Sequence, residues 1–445
     1  MSATLTTVYM APASPAPAGA ALEIGDPLLF RRARTWWTLL ALFLIAQENS
    51  LFTRQDRSYW SLNNLSRHYD SKPDLLWLTS VMWVICIALM IKGLGSTLRT
   101  MLRQKAVLAF AVLAFLSSLW SPDSLFTLRR AALLLLAFAF AWFFATYYSP
   151  EDQMRLLLAA GVIVALASVA MAILLPQYGI ATTGEWKGVF GQKNHLGLGM
   201  FFLFSGLPFC SISSARRLLI LSLQAILPIG LILLSQSMTS LVLAFVLIAV
   251  RVLGPYIARQ RRDRLPFILF SLVCAILVVA LVFTVGRSTV LPLLGRDATL
   301  TGRTDHWAVL LPYIADHLWL GYGYESFWTG TGDSLSVIRS AGGAMKGSDS
   351  GYVDMVLQFG LLGLGAMLIL WLASVRDFLR IFRAQSIPLL AFWYAGVILA
   401  TFVGFFTEGL FPGPGGVSTF VFVVACAGLK NLSDTSTHSA SCFGR

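Results

Sequence analysis

The sequence predicts an all-α, polytopic integral membrane protein, and three observations lead to that fold class. Hydrophobic residues make up 57% of the 445 and charged residues only 12%, with a mean hydropathy of +0.74. A soluble domain carries about 25% charged residues. The apolar residues recur in runs close to the ~20 residues that a helix needs to cross a bilayer. Lys and Arg lie in short clusters between those runs, as in membrane proteins of defined orientation.

The apolar runs predict about twelve transmembrane helices. They cover residues 35–53, 75–91, 105–120, 131–148, 156–175, 196–213, 218–234, 239–254, 266–286, 353–373, 388–406 and 413–429. The first nine fall within residues 35–286 and the last three within residues 353–429, and a large loop at 287–352 separates the two groups. Residues 1–34 are expected to be a disordered tail, because they lack the basic start and continuous apolar core of a signal peptide. Residues 430–445 form the expected C-terminal tail.

The distribution of Lys and Arg predicts the orientation. Most of the 33 basic residues occupy alternate connections, among them Arg216-Arg217 and the pair Arg376 and Arg380. The positive-inside rule assigns these connections to the cytoplasm, so both termini are expected there and the 287–352 loop on the external face. The remaining Lys and Arg lie on the external face against this rule, which indicates an anionic ligand such as a pyrophosphate-bearing lipid.

The charge and the cysteines exclude other classes of ligand. The net charge of +12 is explained by membrane orientation, so no nucleic-acid partner is expected. The five cysteines form no Cys-x-x-Cys pair and no Cys/His ligand pattern. We therefore expect neither a disulfide framework nor a metal site, and no cofactor.

The first external cluster of polar residues follows Trp120-Ser121-Pro122. Arg129 and Arg130 open the fourth predicted helix at its external end, where a helix amino end favours an anion and a guanidinium grips phosphate oxygens in a fork. Both are candidate substrate-binding residues, and the sequence does not favour either. The alternative is that the two side chains only reach up to the lipid headgroups.

The second cluster runs from Gly188 to Gly197 into the sixth predicted helix. Its glycines permit close backbone approach, and Lys193 supplies a mobile point charge. His195 belongs to the residue type that serves as a general base near neutral pH, although a lone interfacial histidine is more often structural. Lys193 and His195 are candidate substrate-binding residues, whereas Asn194 is explained by capping of the helix.

The third cluster lies in the large loop and begins at residues 302–307. Arg303 precedes a Thr-Asp pair, which predicts a capped helix carrying His306 and Trp307. We take Arg303 as a catalytic residue that recognises an anion. The alternative is a salt bridge to Asp305 or to a headgroup phosphate.

Two further parts of this loop carry candidate residues. The run Gly321-Tyr322-Gly323-Tyr324 predicts a tight turn with exposed aromatic rings. The faces of Tyr322 and Tyr324 suit sugar rings, although aromatic residues are expected at a membrane interface in any case. Asp349 and Asp354 approach the tenth predicted helix, and each is a candidate general base or, alternatively, a helix cap.

At these residues the chain resembles the O-antigen ligase and polymerase superfamily of bacterial envelope enzymes, in particular its exopolysaccharide-polymerase branch. The resemblance extends over most of residues 105–430. The matching pieces are Trp120-Ser121-Pro122 with Thr127 to Arg130, Gly191-Gln192-Lys193-Asn194, Ser235-Gln236-Ser237, Gly302-Arg303-Thr304 with Trp307, Gly321-Tyr322-Gly323, and Gly351-Tyr352 to Gly360. Their order, with the large external loop before the tenth predicted helix, makes the set specific.

The resemblance implies an inner-membrane enzyme that acts on undecaprenyl-pyrophosphate-linked glycans at the periplasmic face, without a nucleotide donor. Membrane lipids, chain-length regulators and export proteins are the implied partners. External arginines of the family hold the pyrophosphate, which implies that role for Arg129 or Arg130 and for Arg303. Many relatives have His-Asn where this chain has Asp349-Ser350. If that position supplies the base, Asp349 replaces a histidine here.

The sequence thus predicts a glycosyltransferase that polymerises lipid-linked oligosaccharide repeat units into an exopolysaccharide. Within the same superfamily, the alternative is a ligase that transfers the glycan to lipid A core. A polysaccharide or lipid transporter is the alternative of another class. Transporters place ionisable residues at the midplane of the bundle, whereas here these residues concentrate on the external side.

Overall fold

The computed structural model describes residues 28–46, 73–210, 214–259, 303–329, 333, 336–337, 347–382, 387–413 and 416–442. Within these ranges the chain is nearly all helical and contains no β-strand, which confirms the predicted fold class. A single antiparallel bridge pairs Ile180 with Trp186.

Thirteen helices of ten residues or more make up the described part of the chain. They are α1 Leu28–Ala46, α2 Pro73–Met90, α3 Leu94–Arg103, α4 Lys105–Leu116, α5 Ser124–Tyr147, α6 Pro150–Leu174, α7 Lys193–Phe204, α8 Ala215–Ser235, α9 Met238–Arg259, α10 Arg303–Asp316, α11 Gly351–Phe382, α12 Leu389–Gly404 and α13 Val417–Cys442.

The helix boundaries differ from the predicted ones at both ends of the chain. Helix α1 begins at Leu28, so the predicted disordered tail is wrong for residues 28–34, where three arginines interrupt the apolar run without breaking the helix. Helix α13 continues to Cys442, beyond the predicted end at 429. The ninth predicted helix, 266–286, lies outside the described residues, as do residues 287–302, 330–332, 334–335 and 338–346 of the 287–352 loop.

The described helices have the lengths and surfaces of membrane-spanning segments. Seven helical segments are long and apolar enough to cross a membrane, one of which, Ser80–Arg103, runs from α2 through α3; two shorter apolar helices cover Lys105–Leu119 and Leu389–Gly404. Large apolar side chains cover their outer faces, as at Ile226 and Phe245, which are 66% and 73% exposed. Water-soluble monomers rarely expose continuous apolar surface on this scale, so these faces suit lipid. The count of about twelve spans stays a prediction.

The core of the bundle forms around α13, which packs against α5, α7, α11 and α12. Aromatic rings fill it: Phe138 stacks on Phe411 with ring centroids 5.7 Å apart, and Phe110 meets Phe411 edge-on at 5.1 Å. Phe411 belongs to the segment between α12 and α13. This segment therefore folds into the core and is held in place by ring packing.

The two ends of the bundle differ in chemistry. Helices α5, α7, α9, α11 and α13 begin at one end, which we call the motif end because the sequence motifs lie there. Contacts across this end include a hydrogen bond of 2.9 Å between the hydroxyls of Thr239 and Thr407. The opposite end, which we call the basic end, carries Arg103, Arg376 and Lys430.

Helix α11 is interrupted at Gly360, where φ is +62°. The segment after α10 packs into this interruption. The amide of Tyr322 donates to the carbonyl of Leu357 at 2.7 Å, and the amide of Leu361 donates to the carbonyl of Leu318 at 2.8 Å. These bonds satisfy backbone groups that the broken helix leaves open and fasten the segment to the bundle.

Candidate functional site

The first sequence motif and the glycine-tyrosine turn form one hydrogen-bonded unit at the motif end. The amide of Tyr324 donates to the Ser117 hydroxyl at 2.9 Å, and the Thr127 hydroxyl donates to the Tyr324 carbonyl at 3.2 Å. Asp123 caps α5 by accepting from the amide of Phe126 at 3.0 Å. The amino end of α5 is therefore fixed against the turn at residues 321–325.

Gly323 allows the close approach within this unit. Its φ is +93°, and a Cβ added there would lie 2.7 Å from the Cβ of Ser121. Any other residue type would separate the turn from α5. The prediction of a tight turn at this place agrees with the structure.

The predicted exposure of the two tyrosine rings is wrong. Tyr324 is fully buried, its hydroxyl donates to the Pro412 carbonyl at 3.1 Å, and its ring stacks on Phe359. Tyr322 is 5% exposed, and its hydroxyl lies 3.1 Å from a carboxylate oxygen of Asp333. Burial raises the pKa of both phenols above 10, so both stay protonated. The rings hold the turn in place and present no face to a sugar in this structure.

The two adjacent arginines of α5 have different surroundings. Arg130 forms an ion pair with Glu325, the residue that follows the turn, through its Nε and Nη2 atoms. Arg129 is exposed and shares a helix face with Leu125, which is 78% exposed. The structure therefore places Arg130 at the motif cluster and Arg129 on the lipid-facing side of the helix.

Lys193 opens α7 and is also paired. Its Nζ lies 2.7 Å from a carboxylate oxygen of Glu185, and the Thr183 hydroxyl donates to the other oxygen. Burial alone would raise the pKa of Glu185, but the hydrogen bonds from Lys193 and Thr183 outweigh it and lower that pKa to about 2. Glu185 is therefore ionised near neutral pH and fixes Lys193 in position.

The neighbouring residues of α7 contact the segment after α12. The side-chain amide of Asn194 donates to Glu408 at 2.7 Å, so Asn194 is not the helix cap that the sequence predicted. Helix α7 begins after Gln192, which makes no side-chain cap bond. His195 is half-buried in the first turn of the same helix. Because Glu408 is only 8% exposed, its bond to Asn194 ties α7 to α12.

The helix predicted after residue 302 is present as α10 and carries His306 and Trp307. The side chain of Arg303 lies outside the described part of the chain, so its role in anion recognition stays a prediction. Trp307 donates from Nε1 to the carbonyl of Ser348 at 2.8 Å. The buried Nδ1 atom of His306 makes no hydrogen bond to any described residue.

Asp349 projects from a turn that serine side chains lock. The Ser348 hydroxyl donates to the Ser350 carbonyl at 2.7 Å, and the Ser350 hydroxyl donates to the Phe405 carbonyl at 3.4 Å. Asp349 itself is exposed and has a φ of +51°. Aspartate tolerates this left-handed conformation better than most residues, and such conformations cluster at functional sites. The carboxylate is thus held outward by a rigid backbone.

Asp354 lies in the first turn of α11 and is half-buried. It accepts from Nε1 of Trp328 at 3.3 Å and from the backbone amide of Ser348. Asp354 therefore holds the turn that carries Asp349. Both aspartates lie at the motif end, but their contacts differ.

The sequence interpretation missed the carboxylates that hold the site cations, Glu185 and Glu325. A signal was available for the first, since Glu185 is the only acidic residue between positions 176 and 195, which also contain Lys187 and Lys193. Glu325 follows directly after the glycine-tyrosine turn. A single carboxylate within a basic motif indicates a counter-ion.

The motif end carries the kinds of group that a transfer reaction at an anionic group requires. An exposed carboxylate at Asp349 stands on a rigid turn, and the same end of the bundle carries Arg130 and Lys193 in fixed positions. A carboxylate can accept a proton, and cations can stabilise a leaving phosphate.

Comparison with known proteins gives a match for the segment that carries the turn at Asp349. No curated protein matches the chain. The family model described as O-antigen ligase matches residues 223–368, which begin within α8 and end within α11. The matched segment contains the glycine-tyrosine turn, Asp349 and Asp354, and it supports a lipid-linked glycan ligase or polymerase class without distinguishing the exopolysaccharide branch. Residues 223–368, about a third of the chain, are thus similar to the O-antigen ligase family, and this match supports the resemblance of the chain to the O-antigen ligase and polymerase superfamily.

Proposed function

We propose that this protein polymerises undecaprenyl-pyrophosphate-linked oligosaccharide repeat units into an exopolysaccharide at the periplasmic face of the bacterial inner membrane. The observation that carries the proposal is the turn at Asp349, which serine hydrogen bonds fix and which lies inside the segment that matches the O-antigen ligase family. In the reaction, a hydroxyl oxygen of the acceptor sugar bonds to the anomeric carbon of the donor. The bond from that carbon to the pyrophosphate oxygen breaks, and the electron pair leaves with the lipid pyrophosphate.

Asp349 is the proposed general base, which takes the proton of the acceptor hydroxyl. Because the carboxylate of Asp349 is exposed, an acceptor sugar can reach it. Its fixed backbone limits the motion of the carboxylate before the substrate binds, so less freedom is lost in the reaction. Asp354 is a positioning residue in this proposal, because its hydrogen bonds go to Trp328 and Ser348. His306, whose ring Nδ1 makes no hydrogen bond to any described residue, is the alternative base.

Arg130, Lys193 and Arg303 are the proposed pyrophosphate ligands. In the described structure the first two bind carboxylates, Glu325 and Glu185. A pyrophosphate carries more negative charge than a carboxylate and offers more acceptor oxygens, so it competes for the same guanidinium and ammonium groups. The carboxylates hold the cations ready before the substrate arrives.

The charge at the two ends of the bundle supports the proposed orientation. The motif end faces the periplasm, and the basic end, with Arg103 and Arg376, faces the cytoplasm under the positive-inside rule. Both termini are cytoplasmic in this arrangement. The substrate then lies in the outer leaflet, where a lipid-linked glycan presents its pyrophosphate to the motif end.

Transfer of the glycan to lipid A core is the second candidate function, since the matching family model is described as O-antigen ligase. A polymerase and a ligase share the donor chemistry and differ in the acceptor. A transporter is less well supported, because the ion pairs of Arg130 and Lys193 lie at helix ends instead of the midplane.

The size distribution of envelope glycans in a deletion strain tests the proposal. The strain is complemented with wild type, with Asp349→Asn, or with Asp316→Asn, an exposed aspartate at the end of α10 that serves as a matched control. We expect wild type and Asp316→Asn to restore long polymer, and Asp349→Asn to leave single lipid-linked repeats. Long lipid-linked polymer that fails to reach lipid A in the deletion strain would instead identify a ligase. Unchanged glycans in the deletion strain would exclude both activities.

A further inference from the structure

A cavity of about 450 Å³ opens at the basic end of the bundle, far along α11 from the candidate site. The junction of α3 and α4, the second half of α11, and α13 form its walls. Five cationic side chains line it, namely Arg103, Lys105, Arg376, Arg380 and Lys430. The proposed glycan chemistry uses none of them.

The cavity carries more positive than negative charge. Asp377 is the only carboxylate among its described lining residues, and its Oδ1 lies 3.2 Å from Arg376, 3.7 Å from Arg380 and 3.8 Å from Lys430. Lys430 has a second partner in Asp434 at 2.9 Å. One buried carboxylate shared by three cations leaves the cavity attractive to a further anion.

Two cations on the opposite wall strengthen this attraction. Arg103 ends α3 and Lys105 begins α4, and both are exposed. Neither forms an ion pair with any residue that the structure describes. Gln104 between them is buried and donates to the carbonyl of Cys426 at 3.0 Å, which fixes this wall against α13. The two cations therefore sit on a fixed part of the cavity wall.

The rest of the cavity wall is apolar and continues onto the lipid-facing surface. Ile369 and Leu370 contribute to the lining from α11. Ile369 is also 61% exposed, as is Leu102 beside Arg103. A ligand with both an anionic headgroup and acyl chains satisfies both surfaces at once, whereas a soluble anion satisfies only the charge.

We propose that this cavity binds the phosphate headgroup of an anionic phospholipid from the leaflet at the basic end. The phosphodiester lies among Arg103, Lys105 and Arg380, and the acyl chains run along Ile369. Basic pockets between transmembrane helices at the cytoplasmic side suit such headgroups. Free phosphate can bind the same cations as the headgroup, but it has no acyl chains to contact Ile369.

The test measures lipid binding to the full-length protein in detergent by native mass spectrometry. Phosphatidylglycerol and phosphatidylcholine with identical chains are titrated into wild type, into Arg103→Ala/Lys105→Ala, and into Arg216→Ala/Arg217→Ala. The last variant is a matched control, because Arg216 and Arg217 are an exposed pair on α8 at the basic end but outside the cavity. Inorganic phosphate is added as a competitor in a separate series.

We expect wild type and the control to prefer phosphatidylglycerol, and the cavity variant to bind it roughly 30-fold more weakly with phosphatidylcholine unchanged. Asp377→Asn should bind it more tightly, because it removes the competing carboxylate. Equal binding of the two lipids to wild type, or wild-type affinity in the cavity variant, would overturn the proposal. Displacement of the lipid by millimolar phosphate would also overturn it, since the site would then recognise a soluble anion.

Discussion

Arg130 and Glu325 form an ion pair between residues 195 positions apart in sequence, and this pair joins the amino end of α5 to the turn after α10. The amide of Glu325 also donates to the side chain of Gln358 in α11 at 3.4 Å. Glu325 thus connects the turn after α10 to α5 through its carboxylate and to α11 through its backbone amide. The pair holds a cation at the place where the proposed substrate presents its pyrophosphate.

Arg130→Ala should reduce polymer formation about 100-fold or more at equal protein level. Removing one group that stabilises the developing charge in a transition state lowers the reaction rate by about that factor. Arg129→Ala is the matched control and should retain near wild-type yield, since Arg129 lies on the lipid-facing side of the same helix. The measurement is the amount of long polymer in complemented cells. Equal loss in both variants would contradict the assignment of Arg130 as the site cation.

Arg130→Lys separates charge from geometry. The variant keeps the positive charge and loses the fork that binds two acceptor atoms at once. We expect polymer yield between those of wild type and Arg130→Ala. Full recovery would mean that charge alone matters at this position.

Asp349→Asn and Asp354→Asn should fail in different ways. Asparagine tolerates the left-handed backbone at position 349, so this variant should keep the wild-type melting temperature and lose about 100-fold or more in transfer rate. Asp354→Asn weakens the bonds to Trp328 and Ser348 and should lower the melting temperature. Thermal unfolding and glycan transfer are measured on the same purified samples. An active, stable Asp349→Asn protein would move the role of base to His306.

The Glu185–Lys193 pair should make stability depend on pH. The folded-state pKa of Glu185, about 2, lies below its ordinary value of 4.5. A lowered carboxylate pKa contributes stability that is fully present above the ordinary pKa and disappears as the pH falls through the folded value. Glu185→Gln should therefore melt several degrees below wild type at pH 7. The difference in melting temperature between the variant and wild type should become smaller from about pH 4.5 to pH 2 and disappear below that range.

Lys193→Met is the complementary variant for this prediction. It removes the cation and leaves Glu185 ionised with fewer partners, so it should also melt below wild type at pH 7. A melting difference for Glu185→Gln that stays constant from pH 7 to pH 2 would contradict the coupling of this pair to stability.

The fold could be predicted from the sequence largely because lipid imposes simple rules. Apolar runs of about 20 residues that cross a bilayer must be helices. The two runs that form α5 and α11 can therefore be recognised in the sequence. The extension of α1 to Leu28 was missed because Arg31, Arg32 and Arg34 mark the end of an apolar run without ending the helix. Charge ends a membrane-spanning stretch, but it does not break a helix.

The candidate site could be predicted as a set of motifs but not as a set of contacts. Trp120-Ser121-Pro122 and the glycine-tyrosine turn were singled out separately, and only the structure joins them through Ser117 and Thr127. The tyrosines were expected at the surface because aromatic rings often mark interfaces. Their burial depends on the break in α11 at Gly360, which admits the turn and has no periodic signal in the sequence.

Gly360→Ala should destabilise the protein strongly, whereas Gly365→Ala should not. At position 360 the backbone has a φ of +62°, and an added Cβ would lie 2.3 Å from the carbonyl carbon of Trp319. At position 365 in the same helix, an added Cβ meets nothing within 4 Å, and alanine improves helix propensity. We expect Gly360→Ala to lower the melting temperature and to release residues 318–323 to protease, while Gly365→Ala melts at or slightly above the wild-type temperature. Wild-type protease resistance in Gly360→Ala would mean that α11 can close without expelling the segment, and the interruption would then not be what positions the site.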